Sequence, residues 1–488
     1  MAQEIKDFIS KNREAVAVFV IMLLALNFRV LLLGLHRLHM DECLYASYAI
    51  RMLNHGDLTL NGGLIVDKPP AFFYFLALSF LINGISENAA RLPNIIFSLV
   101  TMFYIFKLAK KMYPKDTVTP FAAIFFLAFS VFYTLFSVTA FQDISMLAFM
   151  LISFYYVKEE KYFLSAFFYS FSIACKPMTL FLLPIFVYIS IMQAGRKITL
   201  KIFMEYIKGA AVVFVPMVIW SALLANPRWG VFTFFITQQP DVMSVSENTA
   251  GRLMQWIKDS GYVLNNFVWL AMAPAGMVIS LAVSAVKKDR DSLKNDIFLL
   301  LSFIFIYFLL SFVKFRFFDR YLLVVVPFAC LMLARGVSLI HSVTGKKTFA
   351  VIAMVMAFVY IFPMRNLDKS DFQTGALFRD SDGFEKVADF VRGKPETTLI
   401  YFGHTISWYG YFYLPDEKFH SVKTAFSINQ LREFLEAGKE STYVVVNARH
   451  RNPEEIKAMQ EWLRIVFTSG SEESLGEKYI ILERIPGK

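Results

Sequence analysis

Apolar residues fall in blocks along most of this chain. Each block runs about 15 to 25 residues, the length a helix needs to cross about 30 Å of hydrocarbon. The pattern predicts spans at 15–35, 90–108, 119–138, 144–157, 162–175, 177–193, 208–225, 262–286, 296–313, 321–340 and 348–364. Segment 70–84 is apolar but short, and is expected to dip into the membrane or lie at its surface; a short full crossing is the alternative. After about residue 366 the apolar runs shorten to strand length, at Thr398–Phe402, Tyr443–Val446 and Tyr479–Leu482. Amphipathic helical patterns lie between them, at Asn429–Glu436 and Glu454–Ile465. The expected fold is therefore mainly α: a polytopic transmembrane helical bundle of about 11–13 spans. Residues 1–365 form that domain, and residues 366–488 a small C-terminal α/β domain.

Composition agrees. The 488 residues are 57% hydrophobic and only 18% charged, where soluble domains carry roughly 25% charged residues. A cleaved signal peptide does not explain the first block, because its apolar core is too long, no small-residue cleavage site follows, and many spans come after it. The net charge of +10 sits mostly in short loops between spans, which argues against a nucleic-acid surface. Cys43, Cys175 and Cys330 have no paired spacing, so no disulfide framework or zinc knuckle is expected.

Positive loops mark the cytoplasmic side. Lys107, Lys110, Lys111 and Lys115 form one cluster, and others lie at 158–161, 196–208, 287–294 and 346–347. With these inside, the outer face gathers Asp41, Glu42, Asp67, Lys68, Arg91, Asp143, Lys176, the loop 226–261 and the run Lys314–Tyr321. Chemistry is expected there, on the extracytoplasmic face of a multi-pass protein of the cell (inner) membrane, with the C-terminal domain on the same side. Were 70–84 a full crossing, the parity of the later loops would flip and the Lys107–Lys115 cluster would face outward, against the charge rule.

Charge beside hydrocarbon is costly and usually functional. The pair Asp41-Glu42 opens a short amphipathic helix carrying Tyr45, Tyr48, Ile50 and Met52. A carboxylate there can act as general base for a hydroxyl, join a metal site with His39 or His55, or simply complement the helix dipole. Asp67-Lys68-Pro69-Pro70 fixes the chain as it enters the apolar segment and holds Lys68 at headgroup level. Such a lysine binds a lipid phosphate or merely snorkels. Asp143 stands between two apolar spans with almost no loop. Lys176-Pro177 repeats the Lys-Pro break and reads first as a punctuating turn. Arg316, Arg320 and Tyr321 precede a late span, and outward cations there call for an anionic partner such as a phosphate, or for pairing with Asp319. Loop 226–261 suits an interfacial helix or a lid.

The order of these motifs resembles the C-type membrane glycosyltransferases, above all the protein O-mannosyltransferase and aminoarabinose transferase group. The resemblance rests on Asp41-Glu42 followed by Tyr and Met, on "NHGDLTLNGGLIVDKPP", on "ENAARLPNIIFS" and on the "RYLLVVVP" span, and it covers roughly residues 15–340. It implies a polyprenyl-phosphate sugar donor, with Asp41 as catalytic acid/base, Glu42 beside it and Asp143 as second acid. It also implies Lys68 near the donor phosphate, with Arg320 and Tyr321 matching the basic-aromatic start of a late span. Asp67 departs from the family's usual Glu before Lys-Pro-Pro. The chain has no Trp-Trp pair, which argues against the oligosaccharyltransferase branch.

The expected function is an inverting glycosyltransferase that moves a sugar from a polyprenyl-phosphate donor to a lipid, protein or glycan acceptor at the outer membrane face, with the lipid bilayer as a further partner. A lipid-phosphate sugar is already activated, so no nucleotide site or cofactor is required, and no P-loop or dinucleotide turn is visible. A divalent ion bridging Asp41, Asp143 and the phosphate is allowed but not required. The runner-up is a transporter or flippase of lipid-linked sugars, for which Asn27 and Arg29 inside the first span speak. A ligand-sensing outer domain is a third reading, and it leaves the Asp-Glu and Lys-Pro-Pro motifs without a role.

Overall fold

The computed structural model describes residues 11–34, 37–60, 66, 68–195, 199–223, 244–314, 317–366, 383–394, 397–415, 421–437, 442–448, 451–469 and 479–484, with 404 and 405 by backbone only. Among these, seven helices are long and apolar enough to cross a membrane: Arg13–Leu32, Glu87–Met112, Leu200–Ala222, Phe267–Val286, Arg290–Phe312, Asp319–Val343 and Lys346–Arg365. The protein is a multi-pass membrane protein. The remaining expected spans are short or broken helices. Asp143–Lys158, Tyr162–Cys175 and Leu183–Ala194 have 16, 14 and 12 residues, and the short segment 70–84 forms the 13-residue helix Ala71–Asn83.

The expected single span 119–138 is two helices, Val118–Ala128 and Val131–Ser137, bent by 60°. A break inside hydrocarbon frees backbone groups that must find partners. Asn265 supplies them: its Oδ1 accepts the Val131 N–H at 2.7 Å, and its Nδ2 donates to Phe129 O at 2.9 Å and Tyr360 O at 2.6 Å. Ser130 caps the second piece by accepting the Tyr133 N–H.

By packing, the chain divides into two units. The first comprises Met1–Leu33, Thr59–Phe75 and Arg91–Thr374. Within it, the Tyr162–Cys175 helix packs between Asp143–Lys158 and Leu200–Ala222. Phe267–Val286 crosses Val325–Val343 where two glycines meet, and a Cβ on Gly276 would lie 3.2 Å from the Gly336 Cα. Small residues at such a crossing let backbones approach. A largely buried ion network ties Asp116 to two helices. Arg335 Nη1 reaches Asp116 Oδ2 at 2.8 Å, and its Nε lies 3.5 Å from Asp296 Oδ1. Tyr113, Ser280 and Ser284 donate to Asp296, and Ser338 donates to Asp116. Buried charge survives only when paired and hydrogen-bonded.

The described part of loop 226–261 is pinned. The Thr249–Asp259 helix buries Trp256, whose Nε1 donates to Leu310 O at 2.8 Å. Arg252 donates to the carbonyls of Leu310 and Val313, filling acceptors that a helix C-terminus leaves open.

The second unit comprises Gly34–Leu58, Leu76–Ala90 and Gly375–Lys488. Its sheet has the order β2-β1-β3-β5-β4, with β1 at Thr398–Phe402, β2 at Ser421–Ala425, β3 at Thr442–Asn447, β4 at Leu463–Thr468 and β5 at Tyr479–Arg484. Strands β2, β1 and β3 are parallel, and β5 runs antiparallel between β3 and β4. The expected helix Glu454–Ile465 is corrected here: the helix stops at Met459 and β4 begins at Leu463. The Leu463–Thr468 run is rich in β-formers, and pairing with β5 outweighs its helical spacing.

Candidate functional site

In the second unit the Met40–His55 helix carries Asp41 and Glu42 in its first turn. His39 Nδ1 accepts the Asp41 N–H at 3.1 Å, and Glu42 Oε2 accepts the His39 N–H at 2.8 Å, a capping box. The Glu42 carboxylate is thus buried and turned back onto the helix start, while Asp41 is half-exposed. The helix ends at Gly56, in the left-handed conformation that favours glycine.

The residues just before this helix are held from far along the chain. The Tyr413 hydroxyl donates to Glu87 Oε1 at 2.6 Å, and Arg37 Nη1 lies 3.4 Å from the same oxygen. Arg37 Nε lies 3.7 Å from Glu385 Oε2. Burial, with Cys43 and Glu87 close by, pushes the Tyr413 phenol far above its ordinary value, so it stays a donor. The His404–Tyr413 helix packs on Met40–His55. Gly34, Arg37, Ser86, Glu87, Asn88 and Tyr413 line a cavity of about 550 Å³ here.

The first unit holds the cations. Asp143 begins the Asp143–Lys158 helix and is buried, and Lys176 forms a short ion pair with it from the break after Cys175. Lys176 Nζ lies 5.0 Å from the centre of the Tyr321 ring. The Arg320 guanidinium sits 4.8 Å over Phe141 and 4.9 Å over Phe318, while Asp319 Oδ1 accepts the Arg320 backbone N–H. Burial pushes the Lys176 ammonium down to about 8, with Asp143 opposing and Arg320 and Lys68 adding to the fall. Lys68, Asp143, Lys176, Arg320 and Tyr321 therefore form one cluster in which cations predominate. Two buried polar atoms beside it, Gln142 Nε2 and Asn94 Oδ1, have no hydrogen-bond partner among the described residues.

Sequence reasoning set Lys176 aside as a turn residue, because a partner 33 positions away leaves no local signal. Asp67 and Arg316 lie outside the described residues. Among the described residues no three His, Cys, Asp or Glu side chains gather to hold a metal.

The fold is that of the C-type membrane glycosyltransferases. It matches ArnT from Cupriavidus metallidurans bound to undecaprenyl phosphate with a TM-score of 0.69 at 13% identity, over 96% of this chain and 98% of that one. The apo form of ArnT matches with a TM-score of 0.66 at 13% identity, over the same shares of the two chains. The oligosaccharyltransferase of Archaeoglobus fulgidus matches with a TM-score of 0.61 at 11% identity, over 97% of this chain and 76% of that one. Within that class, residues 67–220 match the family described as dolichyl-phosphate-mannose-protein mannosyltransferase. No curated protein matches the sequence significantly.

Proposed function

We propose that this protein is an inverting glycosyltransferase moving a sugar from a polyprenyl-phosphate donor to a hydroxyl of a lipid, protein or glycan acceptor. The observation that carries this reading is the gathering of Lys68, Lys176 and Arg320 around Asp143 and Tyr321. Partly buried cations outnumbering nearby carboxylates suit a phosphate. Undecaprenyl phosphate bound to a protein of the same fold supports the same ligand class. The reaction takes place at the extracytoplasmic face of the cell membrane.

Asp41 takes the proton of the acceptor hydroxyl as its oxygen attacks the anomeric carbon. The bond from that carbon to the phosphate oxygen breaks, and the lipid phosphate leaves with the electron pair. Its growing charge is met by cations already in place. One displacement inverts the anomeric centre. No cofactor is needed, because the phosphate is itself the leaving group; Glu42 holds the helix start that presents Asp41.

The flippase reading draws on polar groups inside spans. Arg29, the most prominent, is mostly held by packing: it donates to Ser98 Oγ at 2.9 Å and Ala25 O at 2.8 Å and lies 5.7 Å from the Tyr133 ring centre, while its Nη2 has no hydrogen-bond partner among the described residues.

The test incubates purified protein with a panel of radiolabelled polyprenyl-phosphate sugars and membrane extract, wild type beside Asp41→Asn. Transfer by wild type, with a loss of about 10²-fold or more in the variant, is expected. No transfer from any donor, or equal transfer by both proteins, would overturn the reading.

A further inference from the structure

Neither the motifs nor the proposed chemistry gives the C-terminal α/β unit a task. Its contacts do. Tyr413, at the end of the helix after β1, donates to Glu87, and Glu87 faces Arg37. Glu385, from the Phe384–Val391 helix, also reaches the Arg37 guanidinium. Arg37 and Leu38 lead directly into the His39 cap, and Asp41 is two residues beyond it. The Cys43 thiol donates back to Leu38 O at 3.8 Å, closing the turn from the helix side.

We propose that Tyr413 is a positioning residue: through Glu87 and Arg37 it fixes the turn at 37–39, so that the C-terminal part of the second unit sets where Asp41 points. This rests on the reading of Asp41 as the base. Short loops have many conformations of similar energy. A part-buried hydroxyl and a two-carboxylate clasp on one half-exposed guanidinium select among them. Geometry at a reacting group matters steeply, since a misplacement of about 1 Å costs about 10²-fold in rate.

The experiment uses the full-length protein in detergent and compares wild type, Tyr413→Phe, Glu87→Gln and Glu205→Gln. Glu205 forms an exposed pair with Lys208 on the Leu200–Ala222 helix of the first unit and serves as the control. Hydrogen exchange is followed in peptides spanning 37–46 and 442–448. Transfer is measured with whichever labelled polyprenyl-phosphate sugar the panel shows to be active.

Tyr413→Phe is expected to speed exchange at 37–46 and leave β3 protected. It should lower kcat by about 10- to 100-fold, with the donor KM within about two-fold. Glu87→Gln keeps an oxygen for the Tyr413 hydroxyl but loses the charge facing Arg37, and should fall between Tyr413→Phe and wild type. Faster exchange at 37–46 with full transfer, or lost transfer with unchanged exchange there, overturns the proposal. Loosening at β3 as well would mark plain destabilisation and also overturn it. A wild type that transfers nothing defeats the parent reading instead, and the exchange data identify that case because they do not depend on substrate.

Discussion

Lys176 shows how one side chain serves two opposed demands. Burial pushes its ammonium down to about 8 from 10.5, although Asp143 pairs with it. Between those values the unfolded chain binds the proton more fully than the native one, so folding stability rises with pH across that window. Phosphate binding needs the charged form and must fall across the same window. Binding of undecaprenyl phosphate to the purified protein should therefore weaken several-fold from about pH 7 to about pH 9.5. Lys176→Arg should abolish most of that fall, because a guanidinium keeps its proton. A pH-independent affinity in wild type would remove Lys176 from the phosphate site. Asp41, Lys68 and Asp143 stood out in the sequence because they are charges beside apolar blocks. The Asp143–Lys176 pair and the Glu42 cap were not legible, since the first joins distant positions and the second depends on a backbone turn.

At the level of elements, periodicity located the strands β1, β3 and β5 and most of the helices. It passed over the break at 129–130 because apolar composition continues across it, and the residue that satisfies the break is Asn265, more than a hundred positions later. That dependence is testable. Asn265→Leu leaves the Val131 N–H and the Phe129 and Tyr360 carbonyls without their bonds, and each orphaned buried group costs about 1–3 kcal/mol. Thermal unfolding in detergent should show a clear loss of stability, and an unchanged midpoint would mean the break is held by other groups. Strand β4 was hidden for a different reason. Leu463–Thr468 follows a helix whose amphipathic spacing runs on into it, and only the β5 partner decides its conformation.

For the whole molecule, the Asp116–Arg335–Asp296 network gathers residues that are far apart in sequence. Hydrogen bonds from Ser338, Thr119 and Val118 hold the Asp116 carboxyl below its usual range, although burial alone would raise it. Removing one partner of a buried pair typically costs about 3–5 kcal/mol. Arg335→Leu should therefore lower stability by about that amount in detergent unfolding; a loss under about 1 kcal/mol would show that Asp296 is satisfied by its hydroxyl donors alone. The Ala71–Asn83 helix carries a consequence of another kind. Its thirteen residues rise only about 20 Å, against about 30 Å of hydrocarbon, and Lys68-Pro69-Pro70 fixes its start. Were it a full crossing, lipid beside so short a helix would thin elastically, at fractions of a kcal/mol per Å of mismatch. The headgroup plane would then sink toward Lys68, and on the proposed reading the membrane's own stiffness would become part of what delivers a lipid-borne phosphate.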